Sequence, residues 1–256
     1  MTDGRTRLGW QVGELRAKAA ETDAAATLVF DLERWPGHRA GQHVDVRLTA
    51  EDGYQAQRSY SIASAPEDRE LALTVERLDD GEVSPYLVDE MQPGDVLEVR
   101  GPIGGWFVWE IGEGGPLLLV AGGSGLVPLM AMLRHRARAD SEVPARVLVS
   151  ARTLGDVLYR AELESLARSA HGPEVFTTLT REAPPAWAGF QRRVDRDMLV
   201  EVGWEAGELP RVFVCGPTSF VEASTWSARY CRRAGVSDTS SRRPVVKMPC
   251  FSSRAR

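Results

Sequence analysis

From Leu8 to about Arg100 the chain alternates apolar and polar positions in short runs: Ala26 to Leu32, His43 to Leu48, Arg58 to Ile62, Leu71 to Glu76 and Val96 to Arg100. A period of two turns one side of each run towards a core, the signature of half-buried strands. Turn formers separate them at Pro36-Gly37, Glu51-Asp-Gly53, Asp79-Asp-Gly81 and Pro93-Gly94, and a short helix is expected at Ser84 to Met91. This half reads as an antiparallel β-barrel or sandwich. After Gly101-Pro102-Ile-Gly104-Gly105 the rhythm changes. Strand-like runs at Leu117 to Ala121, Arg146 to Ser150, Glu174 to Leu179 and Arg211 to Cys215 alternate with mostly helical patterns, which reads as a parallel sheet. The expected fold class is therefore two-domain, β plus α/β: residues 1–112 an antiparallel β-barrel domain, 113–236 an α/β domain, and 237–256 an atypical tail rich in serine and arginine.

Gly114 to Leu133 contains no charge over twenty residues, long enough to span a bilayer. Its five glycines and two prolines instead divide it into an apolar run, a glycine turn and a second apolar run placing Leu126, Met130 and Leu133 on one helical face. The expectation is strand, turn, helix, and no membrane span.

Composition narrows the chemistry. Net charge is −5, which gives no electrostatic case for nucleic acid. Three cysteines (Cys215, Cys231, Cys250) are too few for a cysteine-ligated iron–sulfur cluster, and four histidines show no metal-ligand spacing, so no metal site is expected. Met1 to Trp10 lacks the apolar region of a secretory signal, so a cytoplasmic location is expected. Of 31 basic residues only Lys18 and Lys247 are lysine, so arginine is the default cation and a lone arginine says little about phosphate.

Several short motifs carry chemistry. Gly122-Gly123-Ser124-Gly125-Leu-Val-Pro128 lies between strand and helix, where backbone N–H groups and the helix dipole favour a phosphate. Ser150-Ala-Arg152 ends the next strand, where a serine and an arginine suit a 2′-phosphate better than a bare ribose. Cys215-Gly216-Pro217 ends a later strand at the same sheet edge. In the barrel half, Arg58-Ser59-Tyr60-Ser61 puts the arginine and tyrosine on one strand face and both serines on the other. An arginine can hold a phosphate there while the tyrosine ring lies on a flat heterocycle. Gly81-Glu-Val83-Ser84 opens the short helix, offering N–H groups and a hydroxyl to a second phosphate, or Ser84 as a plain N-cap.

In this order the motifs resemble those of the ferredoxin-NADP reductase family over about residues 8 to 225. The resemblance implies a flavin, FAD over FMN, between a six-stranded antiparallel barrel and a nicotinamide-binding α/β domain. It implies that Arg58 binds the flavin diphosphate, that Tyr60 and Ser61 contact the flavin ring, that Ser59, between Arg58 and Tyr60, also binds the cofactor, and that Gly81, Val83 and Ser84 complete the diphosphate site. Gly122, Gly123, Ser124 and Gly125 would line the dinucleotide, NADP(H) or NAD(H), and Ser150 and Arg152 its 2′-phosphate. Cys215, Gly216 and Pro217 would stand near the nicotinamide, Cys215 as a positioning residue with a protonated thiol. The implied activity is an FAD-dependent NAD(P)H oxidoreductase passing electrons to a separate small redox protein (ferredoxin or flavodoxin) or oxygenase component. Two rivals stand beside it: an NAD(P)H-dependent free-flavin or ferric reductase, and a flavin-binding module without turnover. The chain departs from the family after Ser237, where Phe251 is the sole late aromatic that could cover a flavin.

Overall fold

The computed structural model describes residues 9–230 and 245–247. The first half is one six-stranded antiparallel sheet: β1 (Gln11–Thr22), β2 (Ala25–Leu32), β3 (His43–Thr49), β4 (Gln55–Ser61), β5 (Leu71–Glu76) and β6 (Val96–Ile103), in the order β4-β3-β6-β1-β2-β5. The five expected strands are present. β1 is additional, and its Ala, Lys, Arg and Glu content gives it little strand character of its own. It forms because β2 pairs with it along its length and β6 pairs with its first residues, while Leu15 fills the barrel. Tertiary pairing overrides local propensity here.

The two outer strands approach at one point, an antiparallel bridge between Ile62 and Leu73. Away from that bridge the seam between β4 and β5 is plugged by helical turns, α1 (Val83–Pro85) and a wider turn at Tyr86–Glu90, where the sequence places its short helix. Val83, Leu87 and Met91 from this plug join Leu28, Phe30, Val44 and Val99 in the barrel core. The plug holds the Gly81–Ser84 loop beside β4.

The second half is a five-stranded, all-parallel sheet in the order β11-β10-β7-β8-β9. Its strands are β7 (Leu117–Gly122), β8 (Ala145–Ala151), β9 (Glu174–Leu179), β10 (Arg211–Cys215) and β11 (Val245–Lys247). The helices are α2 (Leu126–Arg138), α3 (Arg160–Ala167), α4 (Arg196–Val202) and α5 (Thr218–Tyr230). Every residue of β7 is buried, as a central parallel strand covered on both faces must be. The uncharged twenty-residue stretch is thus strand, turn and helix, and among the described residues no helix is long and apolar enough to cross a membrane. Of the serine- and arginine-rich tail, Val245–Lys247 adds a parallel edge strand to β10; Phe251 lies outside the described residues.

The two halves are locked together by polar groups. Tyr159, at the N-cap of α3, has φ 53° and is 4% exposed. A left-handed backbone costs a bulky residue about 1–2 kcal/mol. In return its hydroxyl donates to Thr74 Oγ1 of β5, which bonds Thr27 Oγ1 at 2.7 Å, and Thr27 donates to Glu21 at 2.6 Å. Arg134 of α2 lies over the Tyr159 ring, 4.8 Å from its centroid, and donates to the Ala63 carbonyl of the barrel and to Glu162. Tyr159→Phe removes one buried donor and leaves the Thr74–Thr27 bond in place. It is expected to destabilise the protein by about 1–2 kcal/mol, read as a lowered midpoint in thermal or urea unfolding.

Candidate functional site

The carboxyl ends of β8, β9 and β7 face the barrel across a cleft of about 420 Å³. Its wall includes Gly122, Gly123, Ser124, Ser150, Arg152 and Pro217, so the structure gathers six of the expected dinucleotide residues. After β7 the chain makes one tight turn, Gly123–Gly125, and enters α2 at Leu126. Gly123 has φ 54°, and the point where a Cβ would stand has one neighbour within 4 Å, Glu76 Oε2 at 3.9 Å. Gly125 serves another purpose. A Cβ there would collide with the Cys215 carbonyl and stand 2.5 Å from the Gly216 nitrogen, so this glycine lets the β7 and β10 turns pack backbone to backbone. Gly122 and Gly216 make room for a side chain instead, since a Cβ on either would stand 2.7–2.8 Å from the Phe220 ring.

Cys215 and Gly125 are buried, forming the floor under the cleft. Burial pushes the Cys215 thiol up to about 12, against a smaller lowering by the Gly216 backbone. The thiol therefore stays protonated at neutral pH. Because its ionisation is harder in the folded state than in the unfolded chain, it withdraws stability as pH rises above about 9. Native protein held with iodoacetamide at pH 8 is expected to carry almost no label on the Cys215 peptide by mass spectrometry, with full labelling after denaturation.

On the barrel side, Arg58 is exposed on β4 and donates to the Gln57 carbonyl at 2.7 Å, leaving most of the guanidinium fork open to a ligand. Tyr60 is half-buried against the barrel core, and burial raises its hydroxyl pKa well above the ordinary value, opposed weakly by Arg58. Its phenol is thus a neutral surface for a flat ring. Ser59 lies on the opposite face, donating to Asp45 at 2.6 Å, and Arg100 donates to the same carboxylate. Ser59 is therefore committed to the barrel wall. Ser61 pairs in register with His43 at the strand's end and is half-buried. Ser84 is buried and accepts the Leu78 N–H at 3.0 Å, which folds the loop back on itself. A Cβ on Gly81 would stand 3.1 Å from that same Ser84 oxygen, so the glycine allows the fold-back. The N-cap position belongs to Glu82, and its side chain makes no capping bond.

Other cleft residues escaped the sequence reading. Thr180 follows β9 as Arg152 follows β8, and Arg193 reaches the cleft from the loop before α4. Position at a strand's carboxyl end is a signal that could have found Thr180. For Arg193 no signal exists in a chain whose default cation is arginine. Glu76, the last residue of β5, enters from the barrel.

The donor set suits two nucleotides. An open arginine fork next to a half-buried tyrosine fits a flavin diphosphate and ring, and an open glycine turn followed by two exposed arginines fits a phosphorylated dinucleotide. The fold and cleft thus define a two-cofactor flavin and nicotinamide oxidoreductase. Comparison with known proteins agrees: residues 13–108 match the oxidoreductase FAD-binding domain and residues 119–225 the oxidoreductase NAD-binding domain. The chain belongs to the ferredoxin-NADP reductase family. It is 37% identical over 182 residues to ferredoxin–NADP reductase B of Sorangium cellulosum, covering 69% of this chain and 73% of that one. It is 33% identical over 188 residues to the glycine betaine monooxygenase reductase subunit of Chromohalobacter salexigens, covering 72% of this chain and 50% of that one. Against several further curated relatives, too, the match spans only about half of their length. In fold it is similar to the FAD/NAD-binding domain of nitric oxide dioxygenase from Vibrio cholerae, with TM-score 0.79, 22% identity, and coverage of 96% and 99% of the two chains. The protein is a flavin-dependent oxidoreductase that uses FAD and a nicotinamide dinucleotide.

Proposed function

We propose that this protein oxidises NADPH and delivers the electrons to a separate small redox protein or oxygenase component. The observation that carries the donor preference is the cleft end beyond β8. Ser150, Arg152 and Arg193 face it, and the acidic residue there, Asp156, is held by Thr153, whose N–H and hydroxyl each donate to it at 2.9 Å. Both bonds tie Asp156 Oδ2 to its own turn, and the two arginines beside it suit a 2′-phosphate.

FAD, when bound, accepts a hydride from the nicotinamide and releases electrons one at a time. The chain's own residues bind and orient. Arg58 with the Gly81–Ser84 loop would hold the flavin diphosphate, and Tyr60 and Ser61 would border the ring. The Gly123 turn would take the dinucleotide diphosphate on its N–H groups. Cys215, buried and protonated, would fix the floor without donating or accepting charge. In this reading the flavin-binding half is residues 1–112 and the dinucleotide half 113–236, to whose sheet Val245–Lys247 of the 237–256 tail adds an edge strand. A cytoplasmic location fits a consumer of NADPH.

Two relatives named as a ferredoxin-NADP reductase and an oxygenase reductase subunit support a protein acceptor. The test is steady-state NADPH oxidation with a small iron–sulfur protein against free flavin. The expected result is faster turnover with the protein acceptor at equal concentration. Turnover with free flavin alone, unaffected by the iron–sulfur protein, would favour a small-molecule reductase.

A further inference from the structure

The cleft has opposite polarity at its two ends. Arg152 and Arg193 line it beyond β8. The sheet order β9-β8-β7-β10 means that a ligand anchored there by a phosphorylated ribose extends past Gly123 towards the β10 turn. Glu76 stands on that path, on the barrel wall. Its Oε2 is 3.9 Å from the point a Cβ on Gly123 would occupy. The neighbouring cation is turned elsewhere, because Arg77 pairs with Asp79 and Asp89, each at 2.8 Å. Among the described residues no ion pair or hydrogen bond involves the Glu76 carboxylate, and it is exposed to the cleft.

An unpaired carboxylate beside a turn that receives a diphosphate is unfavourable by simple Coulomb repulsion. Such a group is tolerated where part of the ligand offsets it. In a nicotinamide dinucleotide one group alone is cationic at neutral pH, the oxidised nicotinamide ring, and that ring lies on the side of the diphosphate away from the 2′-phosphate. Resting on the dinucleotide reading above, we infer that Glu76 is a charge selector for the nicotinamide half. Its carboxylate favours the oxidised, cationic ring over the reduced, neutral one. The same preference lowers the cost of the positive charge that grows on the ring as it gives up hydride, biasing the protein towards oxidation of the dinucleotide.

The test is equilibrium binding to FAD-loaded protein of two ligands, NADP⁺ and tetrahydro-NADPH, a reduced analogue that cannot give up hydride. Wild type, Glu76→Gln and Glu76→Asp are compared. Glu76→Gln is expected to weaken NADP⁺ relative to the analogue by roughly three- to tenfold, the size of one water-screened charge pair, and Glu76→Asp to keep most of the wild-type ratio. Equal tightening of both ligands in Glu76→Gln would overturn the inference, since it would put the carboxylate against the phosphates. An unchanged ratio with unchanged affinities would overturn it too. Wild type that binds neither ligand would instead refute the dinucleotide reading itself.

Discussion

Replacing Gly125 with alanine is expected to be the most damaging single-methyl change in the cleft. The added Cβ would collide with the Cys215 carbonyl and stand 2.5 Å from the Gly216 nitrogen. The contact is backbone against backbone in the centre of a buried sheet, so no side chain can rotate away. Either β7 or β10 must move, and their register, Ala121 against Cys215, sets the floor of the dinucleotide cleft. Overpacking of this kind costs about 3 kcal/mol or more. For a protein of this size that lowers the unfolding midpoint by roughly 6–12 °C in scanning calorimetry. Gly123→Ala is the control: its Cβ side is open, with Glu76 Oε2 at 3.9 Å as its nearest neighbour, so the strain is confined to the φ of 54°. A smaller loss, about 1 kcal/mol, is expected there. A Gly125→Ala protein as stable as wild type would contradict the back-to-back packing of the two turns.

The second large effect concerns donor choice. Arg152→Ala together with Arg193→Ala is expected to lower kcat/KM for NADPH by roughly 30- to 100-fold, the loss of one or two charge-assisted bonds to a phosphate. With NADH, which lacks that phosphate, the change should stay below about threefold. The contrast between donors is the useful part, since general damage to the fold would lower both together. A parallel drop with NADH would mean that the two arginines support the sheet edge and read no 2′ group.

Much of this architecture was legible in the residues. Alternation in β2 to β6 marked the first sheet because one side of each strand faces a single core, and the unbroken apolar run of β7 marked a strand buried on both faces. β1 was not legible. Its Arg16-Ala-Lys-Ala-Ala-Glu21 segment has helix-forming residues, and partner strands that lie elsewhere in the sequence decide its state. The glycine motif was visible, but its physical reason was only half visible. Gly123 opens on the cleft as a phosphate turn should, whereas Gly122, Gly125 and Gly216 are there for Phe220 and the Cys215 carbonyl, contacts that exist only once the sheet is assembled. Ser59 shared a motif with Arg58 and Tyr60, yet strand alternation sends it to Asp45 on the other face. Glu76 could not have been found, because a barrel residue joins this cleft only through the packing of two halves, held by Tyr159, Thr74 and Arg134.

The proposed function requires that one chain hold a flavin and a phosphorylated nicotinamide close enough for direct transfer. It is tested most directly by mixing the FAD-loaded protein with NADPH, and separately with NADH, in the absence of oxygen while following the oxidised-flavin absorbance at about 450 nm. The account predicts rapid bleaching by NADPH and bleaching at least about tenfold slower by NADH at equal concentration. A flavin that stays yellow with both donors would contradict it.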